Sequence, residues 1–158
     1  MSYGTIYTLP FRSRKEDVCL VEIQKEGYTG RGIELTVSGE APFSIEIADD
    51  DFLYVPVRFS TATIRVVGAD YLQSLYSTGY RQYRVIFKRA GMVTWCGFIK
   101  PELYTQDYSS TIFELELECV SAMSALEYID YKPKNGTERG FVTLWELLTR
   151  CVSESRGC

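Results

Sequence analysis

Glu114, Glu116 and Glu118 form the densest set of groups in this chain that could do acid–base chemistry. They alternate with Phe113, Leu115, Leu117 and Cys119. Carboxylates two residues apart on one face of a strand lie ~7 Å from each other. Pairs at roughly 5–5.5 Å or 6.5–9.5 Å carry out retaining and inverting glycoside hydrolysis, respectively. Three in register opposite an apolar row, however, is the pattern of a solvated strand face, and the expectation is that they do no catalysis. Asp49-Asp50-Asp51 has the acid density of half a calcium loop. It lacks the glycine and the distal glutamate that an EF-hand places at fixed spacing, and so reads as an acidic turn. Trp95, Tyr104 and Tyr108 present flat faces on which a sugar ring could stack, although strand and loop aromatics more commonly pack. Gly27, Gly30 and Gly32 do not make a phosphate loop, because no helix and no Lys-Ser/Thr pair follows them.

The chain contains no histidine. That removes the commonest general base, the Ser–His and Cys–His pairs, and the usual zinc, copper and non-haem iron ligands. The five cysteines, Cys19, Cys96, Cys119, Cys151 and Cys158, are odd in number and show no C-x-x-C spacing. Three of them fall inside expected strands. They read as five reduced thiols in a reducing compartment. No metal, no cofactor and no enzymatic activity are expected.

These residues must be positioned by strands. Tyr83, Val85 and Phe87 alternate with Arg84, Ile86 and Lys88; Arg89-Ala90-Gly91 turns; and Met92 to Ile99 returns. Thr111 to Val120 is a third strand, whose period of two is that of a half-buried antiparallel strand. Upstream, strands are expected over Thr5–Phe11, Val18–Ile23, Ile33–Val37, Phe43–Ile47, Phe52–Val57 and Thr61–Val67. The first two are joined by a charged hairpin tip from Arg12 to Asp17, which reads as solvated. Short helices are expected from Tyr71 to Tyr76 and from Ser121 to Ile129. A capping box, Thr143-Leu144-Trp145-Glu146, opens a C-terminal helix with Leu144, Leu147, Leu148, Cys151 and Val152 on one stripe.

The fold class expected is therefore mainly β: an antiparallel barrel or sandwich with two or three short α-helices, one of them amphipathic and C-terminal. Residues 1–131 form the β domain, 132–140 a linker around Lys132-Pro133-Lys134-Asn135-Gly136, and 141–158 the helix. That helix either folds back on the barrel or opens a further domain. Its residues Leu144, Leu147, Leu148 and Val152 are the candidate interface. A chain of 158 residues can bury roughly 70% of its unfolded surface, enough for a core without staples. A net charge of −4 with scattered Lys and Arg argues against a nucleic-acid partner. No run approaches the roughly 18 apolar residues of a membrane span, and the N-terminus has no secretory pattern.

The segment Trp95-Cys96-Gly97-Phe98-Ile99-Lys100-Pro101-Glu102-Leu103-Tyr104, then Tyr108, then Phe113 to Leu126, resembles the N-terminal region of tail proteins in Bacteroidetes-type prophages. Those proteins show W-x-G-[FY]-[IL]-x-P-[ED]-x-Y followed by a strand and a short helix. Pro42 to Ile47, Asp49 to Asp51 and Ser60 to Ile64 match the upstream layout, so the resemblance covers about residues 3 to 130. Ser121-Ala122-Met123-Ser124 departs from the family's acidic-Gly pair, and family members continue well past the point where this chain ends. The resemblance implies a baseplate- or hub-like structural tail component. It would assemble as a homo-oligomeric ring with itself and other tail proteins, in the bacterial cytoplasm and then in the virion tail. The alternative reading is a carbohydrate- or cell-surface-binding β-sandwich, with Trp95, Tyr104 and Tyr108 as the stacking residues.

Overall fold

A computed structural model of the protein describes residues 2–39, 41–47, 59–68, 72, 75, 79, 81–101, 113–124, 126 and 142–154. The expected strand at Phe52–Val57, the acidic turn at Asp49–Asp51, the residues Tyr104 and Tyr108, and the linker 132–140 lie outside them.

The chain is mainly β and forms a nearly closed, barrel-like sheet. Its long strands are β1 (Tyr3–Arg12), β2 (Val18–Glu26), β6 (Ser60–Gly68), β7 (Tyr83–Arg89), β8 (Met92–Ile99) and β9 (Phe113–Ser121). In space the order is β1-β2-β7-β8-β9-β6, every neighbouring pair antiparallel. The shorter β3 (Ile33–Glu34), β4 (Thr36–Val37) and β5 (Phe43–Ile47) complete the sheet. β3 runs parallel to β1, with Tyr7 opposite Ile33, while β4 and β5 share the free edge of β6.

The single strand expected over Ile33–Val37 is thus two. The Leu35 amide donates to the Thr8 carbonyl at 2.9 Å, on the β1 side, and the Ser38 amide donates to the Arg65 carbonyl at 3.1 Å, on the β6 side. One short segment therefore joins the two ends of the sheet. Leu35 and Val37 turn their side chains onto the core as they cross.

Alternation decides what lies inside. Leu9, Val21, Ile23, Ile64, Val85 and Leu117 are fully buried, joined by Trp95, Leu115 and Cys119. Glu114, Glu116 and Glu118 are exposed on the opposite face of β9. A second, smaller cluster, Phe98 with Val120, Ala122 and Tyr3, sits on the outer face. Arg84 lies over the Tyr3 ring at 4.3 Å and grips the Gln24 side-chain oxygen at 2.7 and 3.0 Å, which satisfies a buried amide.

The turn from β7 to β8 has Ala90 at φ 49° and Gly91 at φ 80°. Two consecutive left-handed residues match the twist of a two-residue hairpin. Trp95 and Gly97 explain each other. A Cβ at Gly97 would collide with the Val120 carbonyl oxygen on β9 and with the Trp95 indole. Only glycine lets the ring lie along its own strand while β9 stays in register. The indole nitrogen donates to the Ser60 hydroxyl at 3.0 Å, so its polar edge is satisfied in the core.

Among the described residues there is one helix, α1 (Leu144–Glu154), not two or three. Of Tyr71–Tyr76 only Leu72 and Leu75 lie among the described residues, and Leu72 adopts φ 42°. That left-handed conformation stops an α-helix from propagating. Leu72 and Leu75 are joined by a single turn, with the Leu75 amide donating to the Leu72 carbonyl at 2.8 Å, and both are buried in the core. After β9, the Ser124 amide bonds to the Ser121 hydroxyl at 3.3 Å, and the Leu126 amide to the Met123 carbonyl at 3.1 Å. The first is the bond of an N-cap and the second that of a 3₁₀ turn; residues 125 and 127–129 of the expected helix lie outside the described ones.

The expectation of five free thiols is also corrected. Cys19, Cys119 and Cys151 are free, and Cys96 is disulfide-bonded to a partner outside the described residues. Cys96 lies one residue from Trp95 and therefore on the outer face of β8, half-buried, where a second sulfur can reach it. Cys19 and Cys119 point into the core, and burial pushes the Cys119 thiol far above its usual range, with Glu118 adding to the effect. The cysteines therefore do not argue for a reducing compartment.

Two measurements check this description. Gly97→Ala should cost about 1–3 kcal/mol or more in denaturant unfolding, and Trp95→Ala about 3–5 kcal/mol; an unchanged midpoint for Gly97→Ala would show that the indole does not pack over that position. Alkylation of denatured, unreduced protein should modify three of the five cysteines, and recovery of five thiols would contradict the Cys96 disulfide.

Candidate functional site

The candidate interface residues lie on α1. Its start is built as the sequence pattern requires: the Glu146 amide donates to the Thr143 hydroxyl at 3.2 Å, and the Leu147 amide to the Thr143 carbonyl at 3.1 Å. Glu146 in the first turn complements the positive end of the helix. The apolar stripe is open to solvent. Leu144 is 72% exposed, Leu147 38%, Leu148 50% and Val152 66%. Trp145, which the sequence reading did not assign to the interface, is the most exposed of the group at 78%. It adjoins the stripe, since residues 148 and 152 follow it at i+3 and i+7, about one and two turns along the same side of the helix.

The glutamate row is a solvated face. Arg65 donates to Glu116 at 2.6 Å, Lys100 to Glu118 at 3.2 Å, and the Ser38 hydroxyl to Glu114. Each carboxylate is thus tied to a neighbouring chain segment, outside the barrel. Trp95 is not a surface platform: it is 8% exposed and packs edge-on against Phe43, with ring centroids 5.8 Å apart. Tyr104 and Tyr108 lie outside the described residues, as does Asp49–Asp51. Gly27, at φ 72°, closes a turn after β2 and meets no phosphate-loop geometry.

The sequence reading missed the open end of the barrel. Here Phe11 near the end of β1, Phe87 near the end of β7 and Phe43 at the start of β5 come together under the β1–β2 and β7–β8 turns. Phe11 and Phe87 are parallel within 6°, centroids 6.2 Å apart, and Phe43 tilts onto Phe87 at 4.5 Å. Through Phe43 this row reaches Trp95, so four aromatic rings run from mid-barrel to the mouth. A cavity of about 510 Å³ opens over the row. Cys19, Ile45 and Thr94 form its walls, and Ser13, Arg14, Lys15 and Arg89 its rim.

The rim is ordered by Ser13. Its hydroxyl accepts the Lys15 and Asp17 amides, each at 3.2 Å, and its own amide donates to the Asp17 carbonyl at 3.0 Å. Asp17 in turn accepts two bonds from the Arg89 guanidinium, at 2.6 and 2.9 Å, between the neighbouring ends of β2 and β7. That hydrogen bonding, and then the charge of Asp17, holds Arg89 still more firmly protonated than usual. Arg12 pairs with Glu16 at 3.5 Å on the same loop. The charged hairpin tip, exposed at Arg12, Arg14, Lys15 and Glu16 as expected, also supplies the cationic rim of an aromatic cavity. The strand-end phenylalanines were the available signal, but which strand ends meet depends on the pairing order.

No known protein family, curated protein or solved structure matches this chain. Among the described residues no helix is long and apolar enough to cross a membrane.

The cap on α1 is testable by itself. Thr143→Ala should cost the helix about 0.5–2 kcal/mol. Amide exchange at Glu146 and Leu147 should quicken while β6 and β9 keep their protection; equal exchange in the variant and the parent would show that the cap is not formed.

Proposed function

We propose that this protein is a structural component of a phage or prophage tail, baseplate- or hub-like, acting by protein–protein assembly and not by catalysis. The observation that carries the reading is the exposed stripe on α1. A helix of 11 residues is marginal in water by itself. One that shows Leu144, Leu148 and Val152 to solvent gains its stability from whatever covers them. The barrel is a suitable rigid base for such an arm. The likeness of residues 3 to 130 to prophage tail proteins supplies the biological setting: assembly in a bacterial cytoplasm, then residence in the virion tail. On this reading the partners are further copies of the chain, arranged as a ring, and other tail proteins. Nucleic acid is not a partner. The carbohydrate-binding alternative loses Trp95 as a stacking surface, since its ring is committed to the core; its other two residues, Tyr104 and Tyr108, lie outside the described residues.

The test is size-exclusion chromatography with light scattering on the protein and on Leu147→Asp combined with Leu148→Asp. The parent should elute as a multiple of its 18.1 kDa chain mass. The variant should shift toward the single-chain mass with its β circular dichroism intact. A parent that stays monomeric at all concentrations would count against self-assembly. A variant that loses its β signal would place the helix in the barrel's own core.

A further inference from the structure

The mouth of the barrel has the construction of a ligand site, and assembly through α1 makes no use of it. Its volume of about 510 Å³ falls within the roughly 300–1,000 Å³ of small-molecule sites, which β-barrels commonly hold at their open ends. Its floor is aromatic and continuous, with Phe43 lying against both Phe87 and Trp95. That floor offers a flat or branched apolar body a large area of contact and few groups to hydrogen-bond with. The rim has the opposite character. Arg14, Lys15 and Arg89 line it, and the Asp17 carboxylate beside them is held by Arg89. In a chain of net charge −4, the charged side chains that line this cavity are, among the described residues, all cationic. A greasy floor beneath a cationic rim complements one kind of small molecule.

We propose that the barrel mouth binds a small amphipathic anion, its apolar body against Phe11, Phe43 and Phe87 and its single anionic head at Arg14 and Lys15. The rim loop is built to hold that geometry, since Ser13 ties the Lys15 and Asp17 amides to one hydroxyl. Binding here is independent of the assembly reading, and failure of either leaves the other standing.

The probe is 1-anilinonaphthalene-8-sulfonate, an aryl amine with one sulfonate, compared with N-phenyl-1-naphthylamine, the same framework without the charge. Fluorescence titration of the full chain should show saturable binding of the anion, one per chain. Thr94→Trp, which fills the cavity from its exposed wall, should weaken both dyes by about tenfold or more, a loss of roughly 1.4 kcal/mol or more. Arg14→Glu combined with Lys15→Glu should weaken the anionic dye by a similar factor and leave the neutral dye within about twofold. Ile45→Trp repeats the filling test from a second wall should Thr94→Trp fail to fold. Unsaturable binding, or full affinity in both filling variants, would place the dye elsewhere, for instance on α1, and overturn the proposal. Equal loss of both dyes on charge reversal would overturn the anion specificity.

Discussion

A sheet with two free ends must hide or blunt two rows of unpaired amides and carbonyls, and closing it removes both rows at once. Here closure rests on six residues, Ile33 to Ser38. They pair in parallel with β1, cross at Leu35, and pair antiparallel with β6. Everything inside follows from that bridge. An inward row on one strand becomes buried only when a facing wall exists, so Leu9, Ile64 and Leu117 owe their full burial to the ring being shut. The mouth depends on it too: Phe11 on β1 and Phe43 on β5 belong to opposite ends of the strand order, and both pack against Phe87 on β7.

Within the ring, one glycine sets the largest side chain. Gly97 gives the Trp95 indole and the Val120 carbonyl the same small volume to approach. This is a physical account of the W-x-G spacing, with no ligand invoked. The indole then orders Phe43, Phe43 orders Phe87, and Phe87 lies parallel to Phe11. Packing for stability thus also lays the floor of the cavity. The outside is organised by charge across neighbouring strands, as in Lys88 with Glu22 at 2.5 Å and Arg65 with Glu116 at 2.6 Å. Exposed pairs such as Arg65 with Glu116 contribute little stability, with a median of about 0–1 kcal/mol, but they penalise a slipped register.

What could be read without coordinates was local. Alternation at Leu115, Leu117 and Cys119 against the glutamates gave the right faces, and the Thr143 cap fell where its hydroxyl required. Pairing order was not legible, because β6 meets β9 across about fifty residues of sequence and β3 meets β1 without any local signal. The mouth was invisible for that reason, although its phenylalanines and its rim loop were each identified as strand and hairpin. Of the expected helix at Tyr71–Tyr76 only Leu72 and Leu75 lie among the described residues, and the left-handed backbone of Leu72 is not something helical periodicity foretells. The outward position of Cys96 was implied by the inward position of Trp95. Its disulfide was not, since connectivity is a property of the fold and not of spacing.

The two ends of this account, an exposed helix for assembly and a mouth for a small anion, both presuppose a barrel that stays shut. Amide hydrogen exchange followed by NMR tests this directly at the bridge. The Leu35 and Ser38 amides, bonded to Thr8 and Arg65, should exchange slowly and lose protection at the same denaturant concentration as the amides of β1 and β6. Near-unprotected exchange at Leu35 and Ser38, with β6 and β9 still protected, would mean an open sheet and would contradict the closure on which the core and the mouth depend.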